Sequence, residues 1–130
     1  HFLWIAASMM HAGDDTGMWD EEDGFFYDVL QQPDGQPRRL KVRSMVGLLP
    51  LCAATVFEGG LVAKYPEIID RYRNFLAARP ELLEFIHDTR KPGVAGRHLA
   101  AILSETKLRR VLAKMLDENE FLSPYGIRSL

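Results

Sequence analysis

One cysteine is all the chain holds. Cys52 lies in an apolar run and cannot close an intrachain disulfide, which suits a reducing, cytoplasmic setting. Structural burial is its expected role. Charge of one sign is also scarce. Sixteen Lys and Arg against 18 Asp and Glu leave a formal net charge of −2 and a pI of about 6.1. That balance gives no support for nucleic acid or an anionic membrane as a partner. No apolar run reaches the roughly 20 residues needed to cross a bilayer. The first residues lack the basic start and cleavage site of a signal peptide. The histidines His1, His11, His87 and His98 never fall three to five apart, the spacing that gathers metal ligands. There is no glycine-rich phosphate loop and no serine nucleophile elbow. No cofactor or metal is expected. What remains is 130 residues, 47% hydrophobic and 26% charged, the composition of a globular chain with room for one ordinary domain.

The most informative stretch is Trp-Asp-Glu-Glu-Asp-Gly-Phe-Phe-Tyr-Asp-Val-Leu over 19–30. Four acids crowd a turn, Gly24 can supply the positive φ such turns need, and strand-forming aromatics follow. Carboxylates beside aromatic rings suit a carbohydrate, whose hydroxyls meet carboxylates and whose C–H faces meet rings. Trp19 can stack on a sugar, Asp20 can accept from hydroxyls, and Arg43 can orient a carboxylate through a two-pronged contact. Each has a plainer reading: Trp19 as core packing, Asp20 and Glu22 as partners of basic residues or turn amides, Arg43 as an ion pair with Asp28 or Asp20. The turn is not an EF-hand loop, because aligning Gly24 with the required glycine puts Trp19 where an acid must stand.

Elsewhere the pattern predicts helices. Residues 2–12 are apolar almost all round, as in a helix buried on every side, with Gly13 as its cap. A strand over 25–30, the Pro33-Asp-Gly35 turn and a return strand over 38–42 predict a β-hairpin inserted between helices at 24–42. Residues 45–57, capped by Ser44 and kinked or delayed by Pro50, predict a second helix apolar all round, ended by Gly59-Gly60. Pro66 opens an amphipathic helix over 66–79. A short helix over 80–87, a loop over 90–96, an apolar run at 99–103 and an amphipathic helix over 105–119 complete the chain.

Three ordered segments carry a resemblance: 19–30, Leu-Lys-Val-Arg-Ser-Met-Val-Gly-Leu-Leu-Pro-Leu over 40–51, and Phe-Leu-Ser-Pro-Tyr-Gly-Ile-Arg-Ser-Leu over 121–130. Together they resemble bacterial members of glycoside hydrolase family 63, which holds processing α-glucosidase I. The resemblance implies a mainly α fold, an (α/α)6 toroid of six helical hairpins, and hydrolysis of an α-glucosidic or related α-glycosidic bond with inversion. It also implies that 1–130 is one fragment of a larger catalytic domain. About two and a half hairpins fit at ordinary helix length, 2–12 reads as mid-helix with no cap, and the far end stops in a loop. The family's general acid lies upstream and its general base downstream of these segments. No catalytic residue is therefore expected here, the chain alone is expected to be inactive, and Trp19, Asp20 and Arg43 are candidates for substrate binding. Carbohydrate is the expected partner through the longer protein, and the apolar faces offer a route to self-association. Two other readings are a free-standing helical binding module and a trehalase-like hydrolase. Trehalases carry a similar Trp-x-x-x-x-Gly-aromatic-x-x-Asp turn, but the segments at 41–51 and 121–130 favour family 63.

Overall fold

The computed structural model describes residues 2–10, 17–80, 87 and 91–129. Helix α1 spans Phe2–Met10, α2 Gly59–Lys64, α3 Pro66–Ala78 and α4 Glu105–Met115. Between and after them, among the described residues, lie four two-stranded antiparallel sheets. Strand β1 (Trp19–Asp20) pairs with β2 (Phe25–Phe26), and β3 (Asp28–Gln31) with β4 (Pro37–Leu40). Strand β5 (Ala54–Phe57) pairs with β6 (His98–Ala101), and β7 (Leu122–Ser123) with β8 (Gly126–Ile127). Among the described residues no helix is long and apolar enough to cross a membrane.

This mixed architecture corrects the expectation of a mainly α, toroid-type fold with a single hairpin. The largest departure is at 45–57. Met45–Cys52 forms a 3-10 helix with Pro50 inside it, which leaves Cys52 exposed and not buried as expected, and Ala54–Phe57 leaves as a strand. Pro50 has no amide hydrogen to give an α-helix. Thr55, Val56 and Phe57 are β formers, and their register with Ala100, Leu99 and His98 gives them a ladder. The helix reading followed apolar content alone, which does not separate a helix from a buried strand in a short run.

The Pro-Asp-Gly turn does close a hairpin, with Gly35 at φ 81° and Asp28–Gln31 opposite Pro37–Leu40. The expected strand over 25–30, however, divides. Phe25 and Phe26 turn back to Trp19 and Asp20, drawn by the tight turn at Gly24 (φ 64°), whose amide donates to the Asp20 carbonyl at 2.8 Å. Helix α3 ends one residue from its expected bound, while α4 stops at Met115, short of 119. Ser104 does cap α4, its hydroxyl accepting from the Lys107 amide. The short helix expected over 80–87 lies outside the described residues at 81–86, as do the last two residues of the 2–12 reading and the Gly13 cap.

In this chain α1 is buried on one side only. Leu3, Ala6 and Met10 are buried, but Trp4 is 45% and Ile5 58% exposed. The core gathers instead around Phe25, Phe26, Tyr27 and Phe121, with Ile102 and Val111 fully buried beside them. The Phe25 ring stacks on Phe121 with centroids 5.6 Å apart and meets Tyr27 edge-on at 5.5 Å. Gly47 of the 3-10 helix approaches so closely that a Cβ there would stand 2.4 Å from both the Phe25 ring and the Phe26 carbonyl oxygen. The C-terminal residues fold onto the same cluster: the Met45 amide donates to the Ser129 carbonyl at 2.9 Å, and that of Arg128 to Phe121 at 2.7 Å.

Candidate functional site

The acidic turn is held by cations from two directions. Residues 39, 41 and 43 alternate along the extended chain leaving the hairpin, so Arg39, Lys41 and Arg43 fall on one side and meet the turn one after another. Arg39 Nη1 donates to Asp20 Oδ2 at 2.9 Å, and Lys41 Nζ lies 3.0 Å from the same oxygen and 3.4 Å from Asp23 Oδ2. Arg43 Nη2 reaches Asp23 Oδ1 at 3.4 Å, and Nη1 pairs with Glu120. Helix α4 supplies the other side: Arg110 pairs with Glu21 and also donates to the Glu21 and Glu22 carbonyls. Gly24 suits this position: it takes a left-handed φ of 64°, and a Cβ there would lie 2.4 Å from Arg110 Nε and push the guanidinium aside.

Asp20 is the centre of the turn. It is only 3% exposed, and its second oxygen accepts from the Asp23 amide at 2.8 Å. Burial pushes its carboxyl pKa up, but the Asp23 amide, Lys41 and Arg39 outweigh burial and hold it below the ordinary aspartate value. Asp23 is lowered chiefly by the Tyr27 hydroxyl, which donates at 2.9 Å. That hydroxyl in turn accepts from Arg43 Nε at 3.1 Å, and burial raises its own pKa. Glu21 is lowered first by the indole N–H of Trp19, which donates at 2.6 Å, and then by Arg110.

Trp19 is 6% exposed. Its ring meets Phe26 edge-on at 5.0 Å, with the Lys107 ammonium at 5.3 Å and the Arg110 guanidinium at 5.6 Å from its centre. A ring covered this way packs the turn; it does not present a free face for stacking. Burial beside it pulls the Lys107 pKa down.

An open cleft of about 450 Å³ borders the turn, lined by Met10, Gly17, Trp19, Asp20, Glu21, Glu22 and Arg39. Two of the three sequence candidates, Trp19 and Asp20, therefore line one cleft. Arg43 does not. It stands behind the turn with Asp23, Tyr27 and Glu120, and its partners are not the Asp28 or Asp20 that the sequence suggested. The freest group on the rim is Glu22, whose side chain is 90% exposed. Sequence reading missed Arg39, Lys41, Tyr27, Glu120 and Arg110. The alternation of basic residues at 39, 41 and 43, one strand away from four acids, was the available signal for three of the cations. Nothing local pointed to Glu120 or Arg110, which are 77 and 89 residues from their partners.

Among the described residues no group of three His, Cys, Asp or Glu side chains is placed to hold a metal. The acids of the turn face cations instead.

No family model matches the chain, and no solved structure matches it. The chain is 37% identical, over 143 aligned positions, to the uncharacterized protein YMR196W of Saccharomyces cerevisiae. The match takes in all of this chain and 13% of that protein. The chain thus spans about one-eighth of the length of the curated relative it matches.

Proposed function

We propose that the chain forms part of the substrate-facing wall of a glycoside hydrolase that cleaves an α-glucosidic or related α-glycosidic bond with inversion. One observation carries the reading. The segments that resemble family 63 lie far apart in sequence yet pack on one another: Phe25 on Phe121, Gly47 on Phe25 and Phe26, Arg43 between Asp23 and Glu120. Residues that resemble one family along the chain are also one physical unit, and that unit carries the carboxylate-lined cleft.

In this reading Glu22 and Glu21 accept from sugar hydroxyls at the rim, and Asp20, held by Arg39, Lys41 and the Asp23 amide, forms a fixed, charge-balanced floor. Trp19 shapes the cleft from beneath, and Arg43 fixes the turn from behind. Inversion needs a general acid and a general base about 6.5–9.5 Å apart with water between them. Those carboxylates belong to the longer protein. The 130-residue chain should therefore not hydrolyse aryl α-glucosides or α-linked disaccharides, while a longer protein containing it should. That protein should release the β-anomer, seen by proton NMR within the first turnovers. Release of the α-anomer would exclude inversion, and no hydrolysis by the longer protein would remove the reading. Turnover by the short chain, lost in Glu22→Gln or Asp20→Asn, would put the catalytic acids here.

The exposed apolar side chains fit the same reading. Trp4 and Ile5 on α1, Leu49 on the 3-10 helix and Val56 on β5 are all about half exposed. These are large groups to leave in water, at about 25 cal/mol per Å². Made alone, the chain should self-associate through them. Sedimentation velocity should show a weight-average mass rising with concentration, and Ile5→Lys with Leu49→Lys should lower it. A monomer at every concentration would exclude the association.

A further inference from the structure

We propose that a second cleft, between the β5–β6 ladder and the loop before β6, binds a phosphate monoester. The cleft, about 460 Å³ and open to solvent, is lined by Val56, His87, Lys91, Pro92, Gly93, Val94, Arg97, His98 and Leu99. Its chemistry is the reverse of the acidic-turn cleft. Among the described residues, two permanent cations and two imidazoles line it and no carboxylate does, in a chain whose net charge is −2. Lys91 and Arg97 take part in none of the ion pairs among the described residues. Glu105, close enough to feel the charge of His87, is engaged by Arg109 at 2.8 Å. A dianion with three acceptor oxygens suits such a set of donors. Val56, Val94 and Leu99 add an apolar wall for the body that carries the phosphate.

The loop is built to hold this shape. Pro92 bridges to His98, the Gly93 amide donates to the Arg97 carbonyl at 2.7 Å, and Arg97 Nε donates to the Val94 carbonyl at 3.2 Å. Ala95 and Gly96 are both left-handed, with φ 58° and 69°. A residue with a side chain keeps that conformation only where its surroundings enforce it, and such residues cluster at ligand clamps. Gly59, at the start of α2, seats the loop: a Cβ there would lie 2.6 Å from the Gly96 carbonyl oxygen.

The test titrates the 15N-labelled 130-residue chain, carrying Ile5→Lys and Leu49→Lys to hold it monomeric, with phenyl phosphate, inorganic phosphate, benzoate and phenol, followed by NMR. Phenyl phosphate should give saturable shifts at the amides of residues 93–98 and at the His87 and His98 imidazoles, and should bind more tightly than inorganic phosphate. Lys91→Glu with Arg97→Glu should weaken it about tenfold, the loss expected when two exposed charge contacts are reversed. Arg97→Gln, the milder change, should weaken it about threefold with the remaining spectrum unchanged. Linear shifts without saturation would overturn the proposal. So would benzoate or phenol binding as tightly as phenyl phosphate, or variants that bind as the native chain does.

Discussion

Replacing Asp20 by alanine destabilises the chain by about 2–4 kcal/mol. The value sits between the cost of breaking a buried charge pair, about 3–5 kcal/mol, and the worth of an exposed one, about 0–1 kcal/mol. Asp20 is buried, but its cations are not equally so. Arg39 is mostly covered and Lys41 is half exposed, so Lys41 can return to water when the carboxylate goes. Arg39 fares worse, because it is also tied to the Gly17 and Trp19 carbonyls. Asp20→Asn should cost less than alanine, since its amide oxygen can still accept from the Asp23 amide. The pH dependence separates the charge from the shape. Asp20, Glu21 and Asp23 all have folded pKa values below their ordinary ones. Their stabilisation is therefore complete above the unfolded values of about 4, and it drains as pH falls through the lowered folded values. The melting temperature of the native chain should fall as pH drops from about 5 toward 2. In Asp20→Asn that fall should be shallower, because one of the three linked groups is gone. Equal slopes in both proteins would show that the Asp20 charge adds nothing to stability, whatever contacts surround it.

The sequence was most readable where one local rule decides the outcome. Pro33-Asp-Gly35 gave the turn, Pro66 and the spacing of Ile68, Ile69, Tyr72, Phe75 and Leu76 gave α3, although Ile68 lies exposed, and Ser104 gave the start of α4. It was least readable where distant partners decide. The ladders β1–β2 and β7–β8 are two residues long, and no periodicity can appear over two residues. Their position follows from Gly24 and Gly126 in left-handed or extended-positive φ and from the core beneath them. Residues 45–57 read as helix because every side chain is apolar or small. The choice of strand for 54–57 rests on pairing with 98–101, more than forty residues on. The site shows the same divide. Composition placed Trp19 and Asp20 beside a cleft, since acids and aromatics were adjacent in sequence. It could not show that Trp19 would lie under two cations, nor that Arg43 would turn to Glu120, because both depend on how α4 and the residues after it return to the turn.

Removing the Phe25 ring should cost more than any other single side chain in the core. Phe25 is fully buried, and two distant parts of the chain meet on it, Phe121 by stacking and the Gly47 backbone, with its neighbour Tyr27 edge-on. Phe25→Ala leaves a cavity among groups that cannot easily collapse, because β2 is fixed on one side by β1 and pressed on the other by the 3-10 helix. A loss of about 3–5 kcal/mol is expected from chemical denaturation. Phe25→Leu should cost clearly less, since it keeps most of the volume. Gly47→Ala attacks the same contact from the opposite side. Its Cβ would overlap both the Phe25 ring and the Phe26 carbonyl oxygen, and overpacking of this kind costs about 1–3 kcal/mol. The two changes should not add. With the ring gone, the alanine at 47 keeps only its clash with the carbonyl, so Phe25→Ala/Gly47→Ala should be less unstable than the sum of the single changes. A double variant whose loss equals that sum would show that Gly47 and Phe25 do not press on one another in solution. It would also undo the packing that brings the 19–30, 40–51 and 121–130 segments into one unit.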